Sequence, residues 1–120
     1  MLLFTSCSDH SSASKNDSKL TLLIREMYDE ALTAKQAILA NERPESLDHE
    51  AILTAQSTQP KKAQSELFKT FVSDYLTTTK QLNQAGILYQ KAAFKNVVTN
   101  CVNCHSSMCL VPLVRIKNLK

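Results

Sequence analysis

Apolar positions recur every three or four residues along most of this chain, which is the spacing of one face of an α-helix. The first such stripe predicts a helix that begins near Asp17 or Ser18, because either side chain can cap a helix N-terminus. We expect this helix to end at Pro44, because the residue before a proline avoids helical geometry. Its apolar members are Leu20, Leu23, Ile24, Met27, Ala31, Ala34 and Ile38.

The pattern predicts two further helices before residue 80. A short helix over 46–55 has a thin apolar face, and Pro60 suits the first turn of a third helix. This third helix is expected to fray at 77–79, because three consecutive threonines are poor helix formers. Its strong apolar stripe contains Leu67, Phe68, Phe71, Val72, Tyr75 and Leu76.

A fourth helix is predicted from Asn83 or Gly86 through residues 101–105. Pro112 breaks any helix beyond it, and the apolar and basic tail 110–119 is expected to fold back over the helices. The apolar side of the fourth helix is continued by Ile87, Leu88, Ala92, Val97, Val98 and Cys101. Four helices with short connections predict an all-α fold, an up-down-up-down four-helix bundle over residues 18–120.

Composition agrees with one helical domain. The chain has 120 residues, one glycine and no tryptophan, and it is rich in good helix formers such as alanine, leucine, lysine and glutamine. The net charge of +3 forms no basic stripe interleaved with aromatic residues, so we do not expect nucleic-acid binding. Neither a pair of catalytic carboxylates nor a nucleophile with its base is evident, so the sequence does not predict an enzyme.

Residues 1–17 predict a leader remnant and a tether. The run 1–7 resembles the last part of a bacterial lipoprotein signal, with Cys7 as the residue that would be lipidated, and 8–18 is a polar linker. The apolar run is shorter than a complete signal, so either the start was assigned too late or the resemblance is chance. No apolar run approaches ~20 residues, so membrane association is expected only through an anchor at Cys7.

The spacing Cys101-Val102-Asn103-Cys104-His105 is the attachment signature of a c-type haem. The two thiols of such a motif add to the two haem vinyl groups, and the adjacent histidine binds the iron. We therefore predict haem c as cofactor, with Cys101 and Cys104 as its covalent attachment points and His105 as the proximal iron ligand.

Two other chemistries use the same residue types. A redox dithiol of the Cys-x-x-Cys type normally opens a helix after a strand, and no strand is evident here. Zinc could use Cys101, Cys104, His105 and Cys109 as ligands, although four ligands within nine residues would have to wrap tightly around the ion. The alternative function is thus a helical lipoprotein in which this cluster binds zinc or forms a disulfide.

A helical chain of this length with CxxCH in its last helix resembles the cytochrome c′ family, the class II cytochromes c. The resemblance implies a periplasmic four-helix bundle that holds one haem and either transfers single electrons to a redox partner protein or binds NO or CO. Homodimers are common in that family. Cys101, Cys104 and His105 carry the specific match. The chain departs from the family in lacking a basic residue inside the motif and in having Cys109.

The resemblance also implies where a sixth iron ligand would lie. Some family members use a methionine on the first helix, which makes Met27 the candidate here, and the alternative is an open position lined by Leu23, Ile24 or Phe71. Met108 is too close to His105 in the chain to cross to the other side of the ring, which disfavours the class I layout. His49 and His10 are further candidates for the sixth iron ligand, but His49 is expected to be solvated and His10 lies in the tether. The candidates for neutralising haem propionates are Arg25, Arg43 and Lys95.

Overall fold

The computed structural model describes residues 18–57, 60–108 and 116–120. Within these described residues four α-helices are present, α1 (Lys19–Leu39), α2 (Pro60–Ala63), α3 (Glu66–Gln84) and α4 (Gln90–Met108), together with 3-10 helices at Glu50–Leu53 and Lys117–Leu119. No strand occurs in these ranges, which confirms the prediction of an all-α fold. Cys7, the tether and Cys109 lie outside the described residues.

Helix α1 begins where its cap predicts and ends earlier than expected. The Ser18 hydroxyl accepts a hydrogen bond from the Thr21 amide at 3.1 Å, which satisfies one of the otherwise unpaired amides of the first turn. At the other end Asn41 has a φ of 59°, and the Glu42 amide donates to the Ala37 carbonyl at 2.8 Å. This left-handed turn closes the helix at Leu39, so the predicted end at Pro44 is wrong.

The predicted helix over 46–55 is also wrong, because only the single 3-10 turn Glu50–Leu53 forms. The connecting segment 41–57 instead buries Leu47, His49 and Ile52, and its 3-10 turn packs on both α1 and α3. Buried residues at 47 and 49 alternate with exposed neighbours, which is the spacing of extended chain and not of a helix. The apolar residues of this segment are therefore buried by a conformation that is mostly not helical.

Helix α3 starts later than Pro60, where the sequence predicts it, and continues past the three threonines at 77–79. Pro60 opens only the four residues of α2, and Ser65 caps α3 by accepting from the Phe68 amide at 3.1 Å. The predicted fraying at 77–79 is wrong. The hydroxyls of Thr78 and Thr79 donate to carbonyls three residues back, and both side chains are buried. Tertiary packing thus overrides their weak helix propensity.

Helix α4 begins at Gln90, later than Asn83 or Gly86. Residues 85–89 form a turn, in which the Tyr89 amide donates to the Gly86 carbonyl at 2.9 Å. Ile87 and Leu88 lie in this turn and are 46% and 89% exposed, so the prediction that they continue the apolar side of α4 is wrong. The helix does run through 101–105, as predicted.

The core lies among α1, the connecting segment, α3 and α4, and the most extensive helix packing is between α3 and α4. Ile116 and Leu119 are buried as well, and Lys35 of α1 donates to the Asn118 carbonyl at 2.8 Å. The described end of the tail therefore folds back on the helices, as expected. Within the described ranges, no helix is both long and apolar enough to cross a membrane. The buried apolar cluster comprises Leu20, Met27, Ala31, Ala34, Ile38, Leu47, Ile52, Phe68, Val72, Tyr75, Leu82, Phe94, Val97, Val98, Ile116 and Leu119.

Candidate functional site

The CxxCH residues lie in the last third of α4, where the helix is regular. Cys101, Cys104 and His105 are spaced i, i+3 and i+4, so the helix brings all three side chains to one face. Val97 and Val98, one turn earlier, are buried, and Cys101 packs against the apolar cluster. One helix face therefore presents two thiols and an imidazole beside the core.

Burial sets the electrostatics of the two thiols. Desolvation, with the nearby Cys104 adding to it, raises the pKa of Cys101 from 9.0 to about 12, and desolvation raises the pKa of Cys104 from 9.0 to about 11. Both are therefore neutral thiols at physiological pH, and neither is in a disulfide. They also lie far from the N-terminus of α4, where the helix dipole would stabilise a thiolate.

These properties argue against the redox dithiol interpretation. A dithiol that exchanges disulfides needs a thiolate of lowered pKa, usually at a helix N-terminus, and α4 begins at Gln90, eleven residues before Cys101. The side chain of His105 is half-buried, and its Nδ1 is screened from solvent. A covalently bound c-type haem requires two thiols that add to its vinyl groups and one imidazole that binds its iron, and this helix face presents all three.

Zinc would need ligands beyond these three. In the part of the chain that the structure describes, no group of three or more histidine, cysteine, aspartate or glutamate side chains is arranged to hold a metal ion. Cys109, the fourth ligand of the zinc hypothesis, lies outside the described residues. A haem takes only one axial ligand from this segment, so it does not depend on such a group.

The candidates for the distal side lie on α1 and α3. Met27 is 9% exposed and belongs to the same apolar cluster against which Cys101 packs. Leu23 and Ile24 are half-buried against that cluster, and Phe71 is half-buried on α3. Met27 and the residues that would line an open sixth position are thus all buried or half-buried. Ligation by Met27 and an open sixth position both remain alternatives.

The prediction that His49 is solvated is wrong. Its imidazole is 2% exposed, with Nε2 2.7 Å from the Glu30 carboxylate and Nδ1 2.7 Å from the Tyr75 hydroxyl. The imidazole ring of His49 and the phenol ring of Tyr75 are nearly parallel, with 4° between their planes. Because both ring nitrogens are engaged, His49 is not available as an iron ligand in this structure.

Tyr75 belongs to the apolar cluster against which Cys101 packs. Burial raises the pKa of its phenol well above the ordinary value, and the neighbouring Cys101 and Glu30 raise it further. Sequence reasoning missed the network because Glu30, His49 and Tyr75 lie on α1, the connecting segment and α3, and no spacing along the chain relates them. A carboxylate, imidazole and hydroxyl in this order also occur in hydrolases, but the Tyr75 hydroxyl is buried and supplies no exposed nucleophile.

The residues considered for haem propionates have different surroundings. Arg43 donates from its guanidinium to the carbonyls of Ala85 and Asn83, at 2.6 and 2.8 Å, so it binds the C-terminal end of α3. Lys95 is exposed on α4, and Arg25 is half-buried on α1. Arg43 is thus already committed to a structural contact.

No family model, curated protein or solved structure matches this chain. The functional argument therefore depends on the residues described above.

Proposed function

We propose that this chain is a divergent member of the cytochrome c′ family, a monohaem c-type cytochrome on a helical bundle. In this bundle the segment 41–57 and the short α2 take the place of a long second helix beside α1, α3 and α4. The observation that carries the proposal is the placement of Cys101, Cys104 and His105 on one face of α4, beside the apolar cluster. The motif supplies the residues in the required spacing. The structure adds that the segment is helical and that its thiols are neutral and not paired in a disulfide.

In this proposal, Cys101 and Cys104 hold the haem through thioether bonds, and the His105 imidazole binds its iron. When bound, the haem would supply a one-electron carrier that cycles between Fe(II) and Fe(III). The apolar cluster next to Cys101 would exclude water, and a low local polarity is one of the factors that set the potential of such a group. Met27 either occupies the sixth position or leaves it open for NO or CO.

The cellular setting is proposed from the sequence. A c-type haem and the lipoprotein-like run before Cys7 favour the periplasm or outer envelope of a bacterium, with lipid anchoring at Cys7. The partners would be a redox protein or a small gas, and a homodimer is expected from the family. Nucleic-acid binding is not expected.

Covalent haem attachment tests the proposal directly. The chain is produced in a bacterial host that carries the cytochrome c maturation machinery, denatured, and examined for haem that remains on the polypeptide. We expect a haem-stained band whose mass exceeds that of the chain by one haem. Cys101→Ala together with Cys104→Ala should abolish the stain, whereas Asn103→Ala, at an exposed position between the thiols, should retain it.

The same preparation tests the alternative. A colourless protein that contains zinc by metal analysis, or a disulfide found by mass spectrometry before reduction, would favour a helical lipoprotein whose cluster of Cys101, Cys104, His105 and Cys109 binds zinc or forms a disulfide. Either result would overturn the cytochrome proposal.

A further inference from the structure

Glu30, His49 and Tyr75 form a series of hydrogen-bonded side chains that ends at the buried phenol of Tyr75. In the tautomer of a neutral imidazole that carries its hydrogen on Nε2, His49 donates to the Glu30 carboxylate, whose oxygen lies 2.7 Å away. In the same tautomer Nδ1 accepts from the Tyr75 hydroxyl, which lies 2.7 Å away. Every hydrogen in the network has an acceptor, and the base lies in direct contact with the phenol.

A buried phenol of this kind is hard to ionise but can be oxidised if its proton has a base to receive it. Tyr75 is 5% exposed and His49 2% exposed, so the phenol and its base are shielded from bulk solvent. The Glu30 side chain is 47% exposed, which links the network to solvent. Positive charge that arrives on the imidazole is stabilised by the adjacent carboxylate, since a charged hydrogen bond in a low dielectric is strong.

We propose that Tyr75 is a redox-active tyrosine, oxidised by one electron with transfer of its hydroxyl proton to His49. In this step the Tyr75 O–H bond breaks and an N–H bond forms at Nδ1, which leaves a neutral tyrosyl radical and an imidazolium facing Glu30. The electron passes to a strong one-electron oxidant, which a bound haem would supply after reaction with peroxide. One electron from a protein reductant and the return of the proton restore the phenol.

The location of Tyr75 suits this role. Tyr75 is part of the buried apolar cluster against which Cys101, the residue proposed to hold the haem, packs. The inference rests on the proposed function only for the origin of the oxidant. The tyrosine and its base belong to the chain and can be tested without haem.

The test uses full chains in which Tyr75 is the only tyrosine. The sequence has three tyrosines, and Tyr28→Phe with Tyr89→Phe removes the other two. In the haem-loaded chain, hydrogen peroxide is the oxidant. In a second chain that also carries Cys101→Ala and Cys104→Ala, with its remaining thiols alkylated, a photo-excited ruthenium complex is the oxidant. Both are read by electron paramagnetic resonance of the tyrosyl radical.

We expect a tyrosyl radical in both chains and none above background when Tyr75→Phe is added. His49→Gln should slow radical formation by about tenfold or more, because a positioned base typically contributes on the order of 100-fold to a proton transfer. Glu30→Gln, at a half-exposed position, keeps the packing and should slow it to a smaller extent. Circular dichroism verifies the fold of each variant.

The outcomes separate the two proposals. If the chain that keeps Cys101 and Cys104 attaches no haem, while the chain without these thiols forms the radical with the ruthenium oxidant, the proposed function is overturned and the tyrosine proposal is supported. Absence of a Tyr75 radical in the ruthenium experiment, or a rate that neither His49→Gln nor Glu30→Gln changes, overturns the tyrosine proposal even if haem is attached. If His49→Gln does not fold, the rate of radical formation in Glu30→Gln decides whether the tyrosine proposal stands.

Discussion

The side chain of Asn83 forms two hydrogen bonds with the backbone of Leu47. Its Oδ1 accepts from the Leu47 amide at 2.9 Å, and its Nδ2 donates to the Leu47 carbonyl at 3.0 Å. A carboxamide can satisfy both groups of one residue in the way that a neighbouring strand would. Asn83 therefore fixes the connecting segment 41–57 to the end of α3, in a region where the sequence pattern predicts a helix.

Asn83→Ala should lower the free energy of unfolding by about 1–3 kcal/mol, because it leaves the backbone groups of Leu47 without these partners. The gain in helix propensity on replacing asparagine with alanine offsets part of this loss. Urea unfolding followed by circular dichroism measures the change. Gln84→Ala, at the adjacent exposed position, is the matched control and should change stability by less than about 0.5 kcal/mol. Equal effects of the two variants would contradict this role of Asn83.

Tyr75→Phe should destabilise the fold, because it removes the hydroxyl that forms a 2.7 Å hydrogen bond with Nδ1 of the buried His49 imidazole. A buried polar group left without its hydrogen-bond partner costs about 1–3 kcal/mol. Tyr89→Phe removes the same atom at a position that is 70% exposed and should cost less than about 0.5 kcal/mol. Chemical denaturation of the two variants beside the original chain tests this. A difference between them near zero would show that the His49 contact adds nothing to stability.

Helical periodicity predicted the long elements well, because they bury one continuous stripe. Met27, Ala31, Ala34 and Ile38 of the first stripe are all in the core. Ser18 caps α1 as its residue type predicts, and α4 runs through the CxxCH motif as expected. These features depend on residues close together in the chain, which is the information that a local pattern contains.

The failures occur where distant residues decide the conformation. The segment 41–57 is held by Asn83 and by contacts of His49 with two helices, and neither partner is visible from the local pattern. Leu88 looks like a core position by spacing, but the chain turns there and exposes it. The motif could be read from the sequence, whereas the Glu30–His49–Tyr75 network beside it required the tertiary structure.

The raised thiol pKa values predict that stability falls in alkaline solution. Above about pH 9 the thiols of the unfolded chain lose their protons, whereas Cys104 and Cys101 keep theirs in the folded chain up to about pH 11 and 12. Deprotonation therefore stabilises only the unfolded state in this window. The free energy of unfolding should decrease with pH by at most about 1.4 kcal/mol per pH unit for each thiol.

Urea unfolding at about pH 8 and about pH 10 measures this slope in the chain without haem. Cys101→Ala with Cys104→Ala removes both groups and should leave a smaller decrease, which comes from the remaining titrating residues. The free energy of unfolding of the haem-loaded chain should depend on pH as weakly as that of the double variant, because thioethers do not titrate. If the original chain and the double variant lose stability equally, the two thiols are not shielded as the structure indicates.

Met27 provides the test of the sixth iron position in the haem-loaded protein. Its side chain is enclosed in the apolar cluster at 9% exposure, and a methionine there satisfies the packing of the core without a metal. We therefore expect Met27→Leu to leave a high-spin visible spectrum unchanged. Leucine preserves most of the volume, so the stability loss should stay below about 1.5 kcal/mol. Met27→Ala, which opens a cavity, should cost about 2–5 kcal/mol and serves as the packing control. A low-spin spectrum in the original protein that becomes high-spin in Met27→Leu would instead establish Met27 as the ligand, because leucine retains the bulk of the side chain and lacks only the sulfur.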